Sequence, residues 1–201
     1  MLDVFDRVAA TLQTARYGLE DLTSPDPGRQ LSGLRNLVVF GRAVTNVLQN
    51  LRGVAPDFDQ WYGPKVQEMR DDPLLRYFYA LRSEILKKGS LQTSRSVYIS
   101  SFSPATDLRR FGPPPPGATG FFIGDANGGT GWHVRLPDGT QETYYVSLPA
   151  DIGTISIVLS DPPSAHLGRP LPQLSAHRLA SLYYQYLEQL TKDARAHFLG
   201  A

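Results

Sequence analysis

The stretch Asp71–Gly89, DDPLLRYFYALRSEILKKG, decides the fold, because it spells out a helix with a start, a buried face and a stop. Asp72 carries the short carboxylate that an N-cap needs, and Pro73 suits a first helical residue, whose N–H would have no partner in any case. Leu74, Phe78, Leu81 and Ile85 follow at spacings of four, three and four, which stacks them on one buried stripe. Lys87 and Lys88 complement the negative end of the helix dipole, and Gly89 supplies the left-handed stop.

Toward the N-terminus the same period continues. Leu2, Phe5, Val8, Leu12 and Leu19 predict a first helix within residues 1–23, and Ser24–Gly28, SPDPG, breaks it. Leu34, Leu37, Gly41, Val44, Leu48 and Leu51 form a narrow seam in a second helix, where Gly41 would let a neighbouring backbone come close. The expected neighbour is helix one, running antiparallel. Pro56, Asp57 and Gln60 resemble a capped start, but Gly63 and Pro64 predict that a third helix over Asp57–Met69 is short or broken.

Beyond Gly89 the period becomes two. SRSVYISSF sets Val97 and Ile99 on one side and Tyr98 on the other. Pro113–Pro116 make a stiff extended loop that cannot join a sheet interior and could serve an SH3-like partner. Further strands are expected at Phe121–Gly124, Trp132–Leu136, Glu142–Leu148 and Thr154–Leu159, with Pro137, Asp138 and Gly139 as a hairpin turn. DPPSAHLGRPLP is expected as a loop, and residues 175–198 return to a helix with a wide apolar face. The predicted class is α+β. It comprises a bundle of four to five helices from residues 1–90, an antiparallel sheet over 91–165 inserted into it, and 166–201 completing the bundle as one domain.

At 201 residues the chain can bury a proper core without staples. It has no cysteine, which excludes disulfides, thiolate metal sites and cysteine nucleophiles. Asp3 and Asp6 stand where a signal peptide would be basic, and no apolar run reaches membrane length, so a cytoplasmic protein without membrane attachment is expected. The net charge of +1 comes from evenly scattered residues. Binding to a nucleic-acid backbone would need the fold to gather them, and nothing indicates DNA.

Among candidate site residues Arg82 comes first. The segment LRSEILKKG resembles the motif of the HEPN superfamily, helical-bundle proteins in which an Arg near a helix end is followed by a polar residue and then a His. Arg82 matches the Arg; Ser83 stands where Asn is usual, and Lys87, Lys88 and Gly89 stand where the His belongs. The resemblance, which spans residues 1–90 and the last helix, implies a bundle in which the Arg stabilises phosphate charge while the His moves a proton. The absent His implies a non-catalytic relative. His133 or His166 could replace it from the insertion, which would restore a metal-independent endoribonuclease of toxin or defence type. The plainer role for Arg82 is an ion pair across the bundle.

Lys87 and Lys88 are candidates for binding phosphate, which Arg42 and Arg52 join if helices two and four are neighbours, and Tyr79 is a further binding candidate. Asp125–Trp132, DANGGTGW, lacks the endings of phosphate and calcium loops and reads as a hairpin loop. His133, His166, His177 and His197 have no metal-ligand spacing, so neither a metal nor a cofactor is expected. His197 sits in the last turn of its helix, where the dipole explains it. The tyrosines near the last helix and the Gly41 seam suggest a protein partner or a homodimer; RNA is a second candidate partner, and a small ligand between sheet and bundle a third.

Overall fold

The computed structural model describes residues 1–200. Its element order is α1 (Leu2–Asp21), α2 (Pro27–Leu48), a 3-10 turn (Gln49–Gly53), α3 (Phe58–Asp71) and α4 (Pro73–Lys88). Next come β1 (Thr93–Ile99), the single turn α5 (Pro104–Asp107), a second 3-10 turn (Leu108–Phe111), β2 (Ala118–Ile123), β3 (Thr130–Arg135), β4 (Gln141–Tyr145) and β5 (Gly153–Leu159). The two-residue strands β6 (Ala165–His166) and β7 (Arg169–Pro170) precede α6 (Ala176–Leu199).

The capping chemistry accounts for where the helices begin and end. Asp26 accepts from the amides of Gly28 and Arg29 ahead of Pro27, Asp72 accepts from Leu75 N ahead of Pro73, and Ser175 accepts from Arg178 N. Gly89 closes α4 at φ +66°. On α4, Leu74, Phe78 and Leu81 are buried as their spacing predicts, and Ile85 packs on the edge of the core.

Two helical expectations are corrected. α3 runs unbroken through Pro64, because Phe58 and Tyr62 before it and Val66 and Met69 after it all pack on the bundle, while exposed Gly63 leaves room for the ring. Gly41 does not receive α1. A Cβ there would sit 2.6 Å from the Tyr183 ring and 3.1 Å from Leu187, so Gly41 makes room for side chains of α6. The close backbone approach of α1 to α2 falls at Gly18 and Gly33, where a Cβ on Gly18 would lie 2.6 Å from Gly33 O. α6 packs against α1, α2 and α4, with Tyr183 stacked on Phe78 at 4.3 Å between centroids.

The strands do not form one sheet. β1 pairs antiparallel with β5, β2–β3–β4 form a three-stranded antiparallel sheet, and β6–β7 are a separate hairpin in the segment expected as loop. β5 belongs to the bundle core through Ile157 and Leu159. The three-stranded sheet has its own small core, in which Phe121 packs against Phe102, Phe111 and Trp132, with the last edge-on.

Candidate functional site

α3 and α4 meet at one residue. Asp72 is at once the C-cap of α3 and the N-cap of α4, and this sharp corner carries Arg70 and Arg76 to the same side of the molecule. α2 runs alongside and contributes Arg42 and Thr45; the following 3-10 turn contributes Arg52, and α6 contributes Tyr183, Tyr186 and Leu187. Between them lies a cleft of about 580 Å³, walled entirely by helices and the 3-10 turn. Such a volume is in the range of small-ligand and side-chain-binding pockets.

Its chemistry is one-sided. Arg42, Arg52, Arg70 and Arg76 line the cleft, and no Asp, Glu, His or Lys does. The floor is apolar, made by Val66, Met69, Leu75 and Leu187. Arg42 donates to Thr45 Oγ1 and lies 5.5 Å above the ring of Tyr79, which is 56% exposed. Arg52 pairs with Asp59 at the rim, 2.8 Å away. Arg70 and Arg76 make no ion pair among the described residues, so their charge is available to a ligand.

Two buried tyrosines line the same space. Tyr62 lies 3.5 Å from Thr45 O, and burial pushes its pKa up against the opposing pull of Arg42. Tyr183 is only 5% exposed, and its hydroxyl has no hydrogen-bond partner among the described residues. Burial raises its pKa too, with Arg42 pulling the other way. These phenols therefore stay protonated at neutral pH and act as donors. Arginines that never release a proton and phenols held neutral can bind and orient an anion; they cannot take up a proton from a substrate at neutral pH.

The residues singled out in the sequence are dispersed. Tyr79, Arg42 and Arg52 do come together, because α2 and α4 are neighbours. Arg82 is outside the cleft, with no ion pair and with its Nε buried and unbonded, so the expected cross-bundle pair is not formed. Lys87 is exposed at the end of α4, and Lys88 pairs with Glu84 at 3.2 Å.

His166 does not reach Arg82. Its Nδ1 bonds both oxygens of Asp72 at 3.1 Å, at the opposite end of α4, and ten residues of helix span about 15 Å. His133 is exposed on β3, stacked on Phe122 with centroids 4.7 Å apart. His177 sits in the first turn of α6, with its pKa lowered by burial and by Arg178. His197 does more than answer the helix dipole: its Nε2 meets Asp57 Oδ2 at 2.9 Å and its ring stacks on Trp61, tying the end of α6 to the start of α3. Among the described residues no three His, Asp or Glu side chains gather as metal ligands, and no helix is long and apolar enough to cross a membrane.

Arg70 and Arg76 are the members of the cleft that reading the sequence missed. Their only signal is their position on either side of the Asp71–Pro73 corner.

Comparison with known proteins adds one likeness. No curated protein and no solved structure matches the chain. Residues 24–102, under half of the chain, are similar to the family described as bacteriophage lambda protein ea47. That stretch runs from the turn before α2 to just beyond β1, and so includes all four cleft arginines and Tyr79 but none of α6.

Proposed function

We propose that this protein is a non-catalytic binding module whose helical bundle receives an acidic segment of a partner protein in the arginine cleft. The carrying observation is the lining itself: four arginines, of which only Arg52 is in an ion pair, with no carboxylate among them. The apolar floor of Val66, Met69, Leu75 and Leu187 favours a segment in which carboxylates alternate with apolar side chains over a bare phosphate. The absence of any group in the cleft that could exchange a proton near neutral pH supports binding over catalysis. The HEPN-like character of the bundle and a cytoplasmic location stand with this reading as proposals.

One observation favours a second reading, a phosphorylated ligand or RNA. Tyr79 is exposed beside Arg42, and a base could stack on it. Fluorescence anisotropy of the whole chain separates the two, using a labelled peptide of alternating Glu and Leu, a labelled RNA oligonucleotide, and pyrophosphate as competitor. The peptide is expected to bind, and the Arg70→Ala/Arg76→Ala double variant to weaken it at least about tenfold. Preferential binding of the oligonucleotide would replace the first reading with the second. Equal binding of the peptide by the double variant would remove the cleft from the function altogether.

A further inference from the structure

β1 is an edge strand whose C-terminal half lacks the usual protection. Its pairing with β5 couples Arg95 with Ile157, Val97 with Ile155 and Ile99 with Gly153, and no other strand joins that sheet. Just past the strand end, Ser100 N donates to Ile152 O at 2.8 Å, which shows that the even-numbered residues turn their backbone groups toward β5. The amides and carbonyls of Arg95, Val97 and Ile99 therefore point away from β5, and none has a backbone partner among the described residues.

Natural edge strands are blunted by lysine, proline, a bulge or an inward charge. Ser96–Phe102, SVYISSF, contains none of these, and Val97, Tyr98 and Ile99 are 45%, 66% and 41% exposed in succession. The one charge on the strand, Arg95, is turned inward, donating to Gln30 Oε1 and to Pro27 O, and so guards only the N-terminal half of the strand.

We infer that β1 pairs antiparallel with β1 of a second copy of this chain, about a two-fold axis at Val97. The strand is self-complementary in that register. Val97 meets its own copy as a hydrogen-bonded pair, Arg95 faces Ile99 of the other chain, and Ser96 faces its Tyr98, so no like charges stand opposite each other. The unpaired backbone groups of Arg95, Val97 and Ile99 are then satisfied on both chains. Two marginal two-stranded sheets become one four-stranded sheet in the order β5–β1–β1–β5. An axis between two residues would place the outward-facing groups of one strand against the inward-facing groups of the other, so the axis passes through a residue; at Val97 the outward-facing Arg95, Val97 and Ile99 pair among themselves. This inference is independent of the arginine cleft, to which β1 contributes no residue.

Sedimentation equilibrium of the whole chain tests it, with the variants Val97→Lys and Val97→Glu. The unmodified chain is expected to dimerise. Each variant alone places like charges across the axis and is expected to raise the dimer dissociation constant roughly tenfold or more. An equimolar mixture of the two places Lys against Glu and is expected to restore the dimer. That rescue cannot occur if either variant has failed to fold. A monomeric unmodified chain at the highest attainable concentration overturns the inference. So does a dimer indifferent to both substitutions, and so does a mixture that stays monomeric. Hydrogen exchange gives a second readout: the Val97 and Ile99 amides should gain protection as the concentration rises.

Discussion

The helical bundle and the strand-bearing segment are built on different principles, although both are antiparallel assemblies of short elements. Among the largest fully buried side chains, Phe58, Phe78, Leu34, Leu37, Leu48, Leu51, Leu74, Leu179, Leu187 and Val8 belong to the N-terminal helices, the 3-10 turn after α2 or α6. The segment between α4 and α6 contributes only Ile152 and Leu159 to that set. The bundle is a continuous core with helices closed by caps. The three-stranded sheet instead rests on a short aromatic stack, and inside it Thr130 Oγ1 and Trp132 Nε1 are buried without partners. Buried polar atoms of that kind cost about 1–3 kcal/mol each, which a core of a few rings offsets less well than the bundle core offsets its own two, Arg35 Nε and Arg82 Nε. Stability should therefore reside in the bundle, and the sheet should open at lower cost.

Four substitutions can break or sharpen that contrast. The largest effect belongs to Phe78→Ala, which empties a fully buried site and removes the stack on Tyr183; about 3–5 kcal/mol of unfolding free energy should be lost in urea titration followed by circular dichroism. A loss under about 1 kcal/mol would mean that the bundle does not carry the fold.

Asp72→Ala is next. Asp72 caps α4 through Leu75 N and also holds the β6–β7 hairpin through His166 Nδ1 and Leu167 N, so about 2–4 kcal/mol should go, with early hydrogen exchange at Leu167. If only the hairpin amides respond and the unfolding midpoint stays put, the cap is dispensable.

Tyr77→Phe tests the seam between the regions at about 1 kcal/mol, because the Tyr77 hydroxyl donates to Ser160 O at 2.6 Å. Burial, with Asp161 and Glu84 nearby, pushes this phenol up to about 12. The folded chain therefore holds the proton longer than the unfolded chain does. The stabilisation is complete below about pH 10 and disappears as pH rises toward about 12. The Phe variant should show a shallower alkaline fall.

Trp132→Ala should have the smallest effect on the bundle. The helical signal should unfold within about 0.5 kcal/mol of the unmodified chain, while near-ultraviolet dichroism of the sheet aromatics is lost. A large shift in the helical midpoint would show that the two regions fold as one unit.

The contrast also explains what could be read from the residues. Helix α4 was legible because its cap, stripe and stop all lie within Asp72–Gly89 and act locally. The strands were legible as alternation, but their sorting into three sheets was not, since pairing β1 with β5 depends on contacts across some sixty residues. The β6–β7 hairpin was hidden by its turn. Leu167 adopts φ +47°, a left-handed conformation that turn chemistry assigns to Asn or Gly, and it is held there by the bond from its amide to Asp72.

The cleft was half legible. Arg42, Arg52 and Tyr79 are each candidates in the sequence, which groups the two arginines with Lys87 and Lys88 on the assumption that α2 and α4 are neighbours; the cleft holds neither lysine. Arg70, Arg76 and Arg82 are the same residue type within two adjoining helices, and only packing decides that the first two face the cleft while the third does not.

The glycine contact between α1 and α2 has a consequence in time. Gly18 and Gly33 are close in sequence, so the hairpin of α1 and α2 closes a short loop at small entropic cost and can form while most of the chain is still unfolded. The face that this hairpin presents at Gly41 is filled by Tyr183 and Leu187, which arrive from the last helix. Between the two events the arginine cleft lacks its α6 wall. Contact separation thus predicts an order of folding, in which the local pair comes first and a binding-competent cleft follows only once the most distant contact in the bundle has been made.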